Sequence, residues 1–210
     1  MGIIKRGILG GFSGKVANVV GSSWKGIAVM KSLPLSVANP RTAGQVTQRS
    51  KFGSAAKVGS ILLTNVIKPF WDRFAQQASG FNDWLQTNID FFDAGGLVNE
   101  ASVVMSKGVI EKTDITSQDS DTGAAVCSLY FTDDSGSGNR LATDIMKGIV
   151  YNETKDVWGF STVDSVRSSE SVDLTMPENF TTGDSVSAYL ISRRPDGSQV
   201  SNTAYFTWTI

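Results

Sequence analysis

The sequence predicts an α+β protein in three parts: a basic, glycine-rich β-hairpin arm over 1–38, a helical segment over 39–96, and a seven-stranded β-sandwich domain over 100–210. Three observations carry this reading. Residues 1–34 contain no acid and are broken by glycines. Apolar residues recur at helical spacing between about 40 and 93. From about 100 onward, short alternating runs are separated by turn residues.

In the arm, SGKVANVVGSSW and GIAVMKSL each hold a β-compatible run, with the turn residues GSS between them. A hairpin with strands at 14–21 and 24–32 follows. It has little apolar area of its own, and a lone two-stranded hairpin is marginal in water. The arm is therefore expected to dock on the rest of the chain or on a partner.

The helical segment opens on Pro40 and Thr42-Ala-Gly-Gln45, a capping-box pattern. Val46, Phe52, Ala56, Leu63 and Ile67 supply the expected apolar positions. Gly44, Gly53, Ala56, Gly59 and Ser60 keep one surface small, which suits close packing against another element. Pro69 ends or kinks this helix. FWDRFAQQA reads as a short second helix offering Phe70, Trp71 and Phe74 to a core. FNDWLQTNIDFF restarts a helix carrying Phe81, Trp84, Leu85, Ile89 and Phe92, and Gly95-Gly96 closes the segment. Aromatics this dense read as core before they read as a stacking platform for bases.

The last segment offers seven runs: SVVMSKGVIEK, AAVCSLYFT, DIMKGIVYN, VWGFST, SVDLTM, SVSAYLISR and NTAYFTWTI. DSDTG, DDSGSGN, NETKD, NFTTGD and RPDGS punctuate them. That rhythm suggests a sandwich of immunoglobulin or fibronectin III kind. With one cysteine and no Cys pair, the fibronectin-like relatives fit better, and Tyr189 is the candidate tyrosine-corner residue.

The charge is split along the chain. Residues 1–73 hold eleven cations against Asp72 alone, a net +10, whereas 74–210 hold eight cations against nineteen acids, a net −11. A basic front half can bind phosphates or another polyanion. It can equally bind the acidic half of a neighbouring copy and drive head-to-tail assembly. An unpatterned solvated surface is the third alternative. The residues expected to meet a partner are Lys5, Arg6, Lys15, Trp24, Lys25, Lys31, Arg41, Arg49 and Lys51.

Signs of chemistry are few. The chain has no histidine, which removes the commonest general base and transition-metal ligand. Cys127 sits in an alternating apolar run and reads as a buried structural thiol. Gly10–Lys15 resembles a phosphate loop, but its first glycine stands four residues before Gly14 where a Walker A motif needs five, and Val16 replaces the required hydroxyl. The acidic stretches at 119–123 and 132–139 lack EF-hand spacing and read as turns. No cofactor, metal, membrane or small-molecule substrate is expected. No apolar run is long enough to span a bilayer, and GILGGFSGK lacks the apolar core of a signal peptide.

GILGGFSGKVANVVGSSWKGIAVMKSLP followed by NPRTAGQVTQRSKF resembles an uncharacterised family found in Bacteroidota and their phages. Its members share G-x-x-G-G-F-S-G-K-V-x-x-V-V-G-S-S-W-K-G and N-P-R-T-x-x-Q-x-x-Q-R-x-K-F. The likeness is specific over about 1–55 and returns in TDDSGSGNRLATD, VYNETK and PDGSQVSN. The family carries no activity to transfer, but its presence in phage genomes implies a virion or assembly component, made in the host cytoplasm. The expectation is a non-enzymatic structural protein, such as a capsid decoration, minor capsid or connector protein, contacting other copies of itself or other virion proteins. A nucleic-acid-binding protein using the basic half is the alternative.

Overall fold

Alternation and tight turns shape the first of two compact units, Met1–Val46 and Thr47–Ile210, in a computed structural model that describes residues 2–3, 11–34, 36 and 39–210. Strands β2 (Gly14–Val16), β3 (Val19–Trp24) and β4 (Ile27–Ser32) form an antiparallel meander, and the two-residue strand β1 (Gly2–Ile3) pairs with β4 at Val29 and Met30. The pairs Val16↔Val19 and Trp24↔Ile27 leave two-residue loops. In the second loop Lys25 and Gly26 have φ of 47° and 80°. Both are left-handed, as a type I′ hairpin turn needs to match strand twist. The turn expected at Gly21–Ser23 is not there, because these residues lie within β3 and pair with 28–30. Gly21 serves close approach instead: a Cβ there would run into the Phe12 carbonyl and into its ring at 2.5 Å.

Helix α1 (Ala43–Leu62) starts as the capping pattern predicts, with the Gln45 amide donating to Thr42 Oγ1 at 3.4 Å. Its buried stripe is Ala55, Val58, Gly59 and Leu62, at three- and four-residue spacing. Val46 and Phe52, expected in the core, are 47 % and 50 % exposed. Gly59 does pack closely, with Phe81 and Trp84 carbons 3.0 Å from where a Cβ would stand, but Gly44 and Gly53 face open space. A π-turn (Leu63–Ile67) leads into the single turn α2 (Lys68–Phe70). The Lys68 amide donates to the Leu63 carbonyl, five residues back. Pro69 is the physical cause: it has no N–H for the Asn65 carbonyl and its ring would strike that carbonyl in a regular helix.

Residues 71–78 do not form the expected short helix. Phe70 and Trp71 are core, but Phe74 is 38 % exposed. Helix α3 (Gly80–Asn88) is capped by Ser79, whose hydroxyl accepts from the Asn82 amide at 3.3 Å.

The remaining strands are β5 (Ile115–Ser120), β6 (Val126–Phe131), β7 (Ile145–Asn152), β8 (Val157–Ser161), β9 (Ser165–Val166), β10 (Ser171–Thr175), β11 (Ser185–Arg193) and β12 (Ala204–Thr209). They do not divide into two facing sheets, so the immunoglobulin-like sandwich is not confirmed. They form one antiparallel sheet, ordered β12-β11-β7-β8-β10-β6-β5, with β9 on β7. The sheet curls until its edges meet, where Trp208 Nε1 of β12 donates to Ser120 Oγ of β5 at 3.1 Å. The result is a near-barrel. Residues 102–112, read as a strand, are irregular apart from a bridge from Ile110 to Ser201. The strand lies instead at ITSQDS, where only Ile115 is buried. Tyr189 is no corner residue. It is fully buried in β11 and donates its hydroxyl to the Glu100 carbonyl at 2.9 Å.

Two apolar clusters explain why β7 and β11 are buried on both faces. Met146, Val150, Val186, Ala188 and Leu190 join Leu129, Val172, Leu174 and Phe180 inside the barrel. Ile149, Tyr151, Tyr189 and Ile191 pack outward with Leu62, Val66, Ile67, Trp71 and Trp84 of the helical segment. Each fully buried aliphatic or aromatic side chain contributes about 1.5–3 kcal/mol. Among the described residues no helix is long and apolar enough to cross a membrane.

Candidate interaction surface

In the ribbon, strand register gathers side chains that sequence order separates. Val20 pairs with Lys15 on one side and Lys31 on the other. Directly paired residues share a face, so Lys15, Val20 and Lys31 form one row, the two lysines about 10 Å apart across three strands. Alternation puts Ser22 and Trp24 on that same face, and their partners Val29 and Ile27 with them. This face therefore carries Val20, Ile27 and Val29 as a half-buried stripe, with Lys15, Trp24 and Lys31 exposed around it. Lys25, in the turn, holds its Nζ 5.3 Å from the Trp24 ring centroid, within cation–π range. Phe12 covers the opposite face at Gly21. Of the residues in β2, β3 and β4, only Gly21 is buried.

The other expected contact residues lie elsewhere. Lys5 and Arg6 are outside the described residues. Arg41 is exposed just before α1. Arg49 and Lys51 sit on the first half of α1, two positions apart, so they point to different sides of it. Val46, Arg49 and Phe52, spaced by three, line one exposed flank. Gly14–Val16 form β2, so Lys15 lies on a strand and not in a phosphate loop.

Cations of the second charge segment are used differently. Six of the eight in 74–210 form ion pairs with acids of that segment: Lys112, Arg140, Lys155, Arg167, Arg193 and Arg194. At one end of the barrel Arg167, wholly buried, donates to Asp134 at 2.6 Å and to Asp144 at 3.3 Å, and also to the Thr113 hydroxyl. Arg194 meets Asp144 at 2.6 Å and Arg140 meets Asp134 at 2.9 Å. The 132–139 stretch is thus a turn stitched by arginines. Among the described residues no cluster of three His, Cys, Asp or Glu is placed to hold a metal.

That pairing leaves a surplus of acid on the sheet. Ser128 on β6 pairs with Asp119 of β5 and with Asp173 of β10. The two aspartates flank it in one row on the outer face, both exposed, and Ser128 Oγ donates to Asp173 at 2.7 Å. Val126 and Tyr130 share the face and are 57 % and 39 % exposed. Directly beneath, Cys127 points inward. Burial, with the Asp173 charge nearby, pushes its thiol up to about 12.

Sequence reasoning named the lysines and Trp24 as candidates but not the acidic row, since Asp119 lies in a strand that the sequence hid. No curated protein and no solved structure matches the chain. Residues 11–207 match the family of unknown function DUF6266, and the chain belongs to that family.

Proposed function

We propose that this is a non-enzymatic assembly protein that docks through its basic ribbon onto an acidic partner surface, and that a second copy supplies that surface. One observation carries the reading. The Lys15–Val20–Lys31 row and the Asp119–Ser128–Asp173 row have the same three-strand spacing and opposite charge. Each lies beside exposed apolar side chains, Trp24 on the ribbon and Val126 and Tyr130 on the sheet. Such complementarity gives register and orientation to an interface, and aromatic side chains give it buried contact. A ribbon face on one copy and a sheet face on the next make a head-to-tail contact, which closes into a ring or extends as a filament.

Within this reading, the resemblance to a family found in Bacteroidota and their phages supports a virion role, as a capsid decoration, minor capsid or connector protein. The net +10 of residues 1–73 favours a second reading, binding of nucleic acid through phosphates.

A charge swap separates the two. The double variants Lys15→Glu/Lys31→Glu and Asp119→Lys/Asp173→Lys should each lose self-association. Mixed together, they should recover a hetero-assembly. Lys15→Glu/Lys31→Glu losing DNA binding while self-association stays at wild-type level would overturn the assembly reading.

A further inference from the structure

A groove of about 360 Å³ runs between α1 and α3, lined by Phe52, Asn82, Leu85, Gln86 and Ile89. The way the two helices pair creates it. At Gly59 they touch closely, with Phe81 and Trp84 carbons 3.0 Å from where a Cβ would stand. Two turns earlier α1 has left the core. From Thr47 to Gly53 it buries no side chain, and Gly53 faces open space. Phe52 stands at the mouth of the groove with 50 % of its surface in water. Helices in proteins owe most of their stability to packing, and this stretch draws little of it from the core of its own chain.

The two walls differ in charge. Helix α1 carries Arg49, Lys51 and Lys57 and no acid. Residues 74–106 hold Asp83, Asp90, Asp93 and Glu100 and no lysine or arginine. Arg49 shares the flank of Phe52 on α1. Asp83, Gln86 and Asp90 follow one another at three- and four-residue spacing along α3 and the 3₁₀ turn after it, Ile89–Phe91. Among the described residues no cation lies within ion-pair distance of Asp83 or Asp90.

We infer that this groove is a two-fold interface between two copies of the chain. A two-fold contact requires a patch complementary to itself. Opposite charges on the two sides of an apolar centre meet that requirement, because rotation about an axis through the centre lays the acid-free helix of each copy over the acidic flank of the other. A basic peptide would be matched by the α3 wall alone and an acidic peptide by the α1 wall alone. A second copy is matched by both. Phe52 is the anchor: each ring enters the groove of the opposite copy, against Leu85 and Ile89. The contact uses no residue of the ribbon or of the Asp119–Asp173 row and does not rest on the assembly reading.

The test is sedimentation equilibrium of the full chain carrying Lys15→Glu/Lys31→Glu, which removes the ribbon contact. A dimer is expected. Adding Phe52→Asp should raise its dissociation constant roughly ten-fold or more, the loss of one buried aromatic side chain. Adding Asp90→Lys should raise it as well. A chain that stays monomeric at high concentration, or a dimer that these changes leave at the same dissociation constant, would overturn the proposal. Asp90 is exposed, so Asp90→Lys gives a reading even if Phe52→Asp does not fold. Failure of the ribbon reading shows separately, as an identical mass for the wild-type chain and the Lys15→Glu/Lys31→Glu variant.

Discussion

Asp184 shows how this chain satisfies a buried charge. It is 2 % exposed. Its carboxylate accepts from the Thr181 amide at 2.9 Å, the Thr181 hydroxyl at 2.7 Å and the Asn152 side chain at 2.7 Å, with Lys155 at 3.1 Å. Burial alone would raise its titration point, but these donors outweigh burial and hold it well below the usual carboxylate range. The group therefore adds stability that is complete above the ordinary carboxylate value, about 3.9, and is lost as pH falls below it. Asp184→Asn should cost about 1–3 kcal/mol near neutrality and flatten the acid limb of stability against pH. Urea unfolding at a series of pH values checks both, and an unchanged acid slope would contradict the assignment. The raised thiol of Cys127 has the opposite sense: an aliphatic-like core residue, inert as a nucleophile at neutral pH.

Elements repeat this contrast between what is local and what is not. Capping at Thr42, the turns at 121–123, 133–139 and 194–198, and six of the seven expected runs were legible because each depends on neighbours in sequence. What stayed hidden depends on distant packing. ITSQDS is an edge strand with one buried residue, so its pattern is polar. Residues 102–112 are apolar because they pack beneath strands, not because they form one: Met105 is wholly buried and its carbonyl takes the Trp71 indole at 2.8 Å. Val46 and Phe52 match helical spacing, yet the core begins only at Ala55. Curling of the sheet places Gly148 of β7 against β10, where a Cβ would stand 2.9 Å from a Leu174 methyl and 3.1 Å from Val172. Gly148→Ala should therefore overpack the barrel and cost about 1–3 kcal/mol. Chemical denaturation measures this, and a neutral or stabilising change would mean the interior has room that the fold described here does not give it.

Taken whole, the molecule keeps the charge division of its sequence. Acids of the barrel neutralise most of the barrel's own cations, and two acids left outside those pairs, Asp119 and Asp173, stand in one row on the β5-β6-β10 face. The ribbon has no acid within its own unit to neutralise it. The candidate contact residues could be named from sequence because a basic, acid-free stretch is a property of composition. Their arrangement could not, since only strand register puts Lys15 beside Lys31 and Asp119 beside Asp173. If the two surfaces join copies as proposed, association depends on salt, because exposed charge pairs are screened over about 10 Å at 0.1 M.

The most direct measurement is the solution mass of the purified protein by light scattering, at low and high salt, with and without duplex DNA. Assembly through the ribbon predicts oligomers at low salt without DNA, dissociating as salt rises. A monomer at every salt concentration that grows only when DNA is added would contradict it.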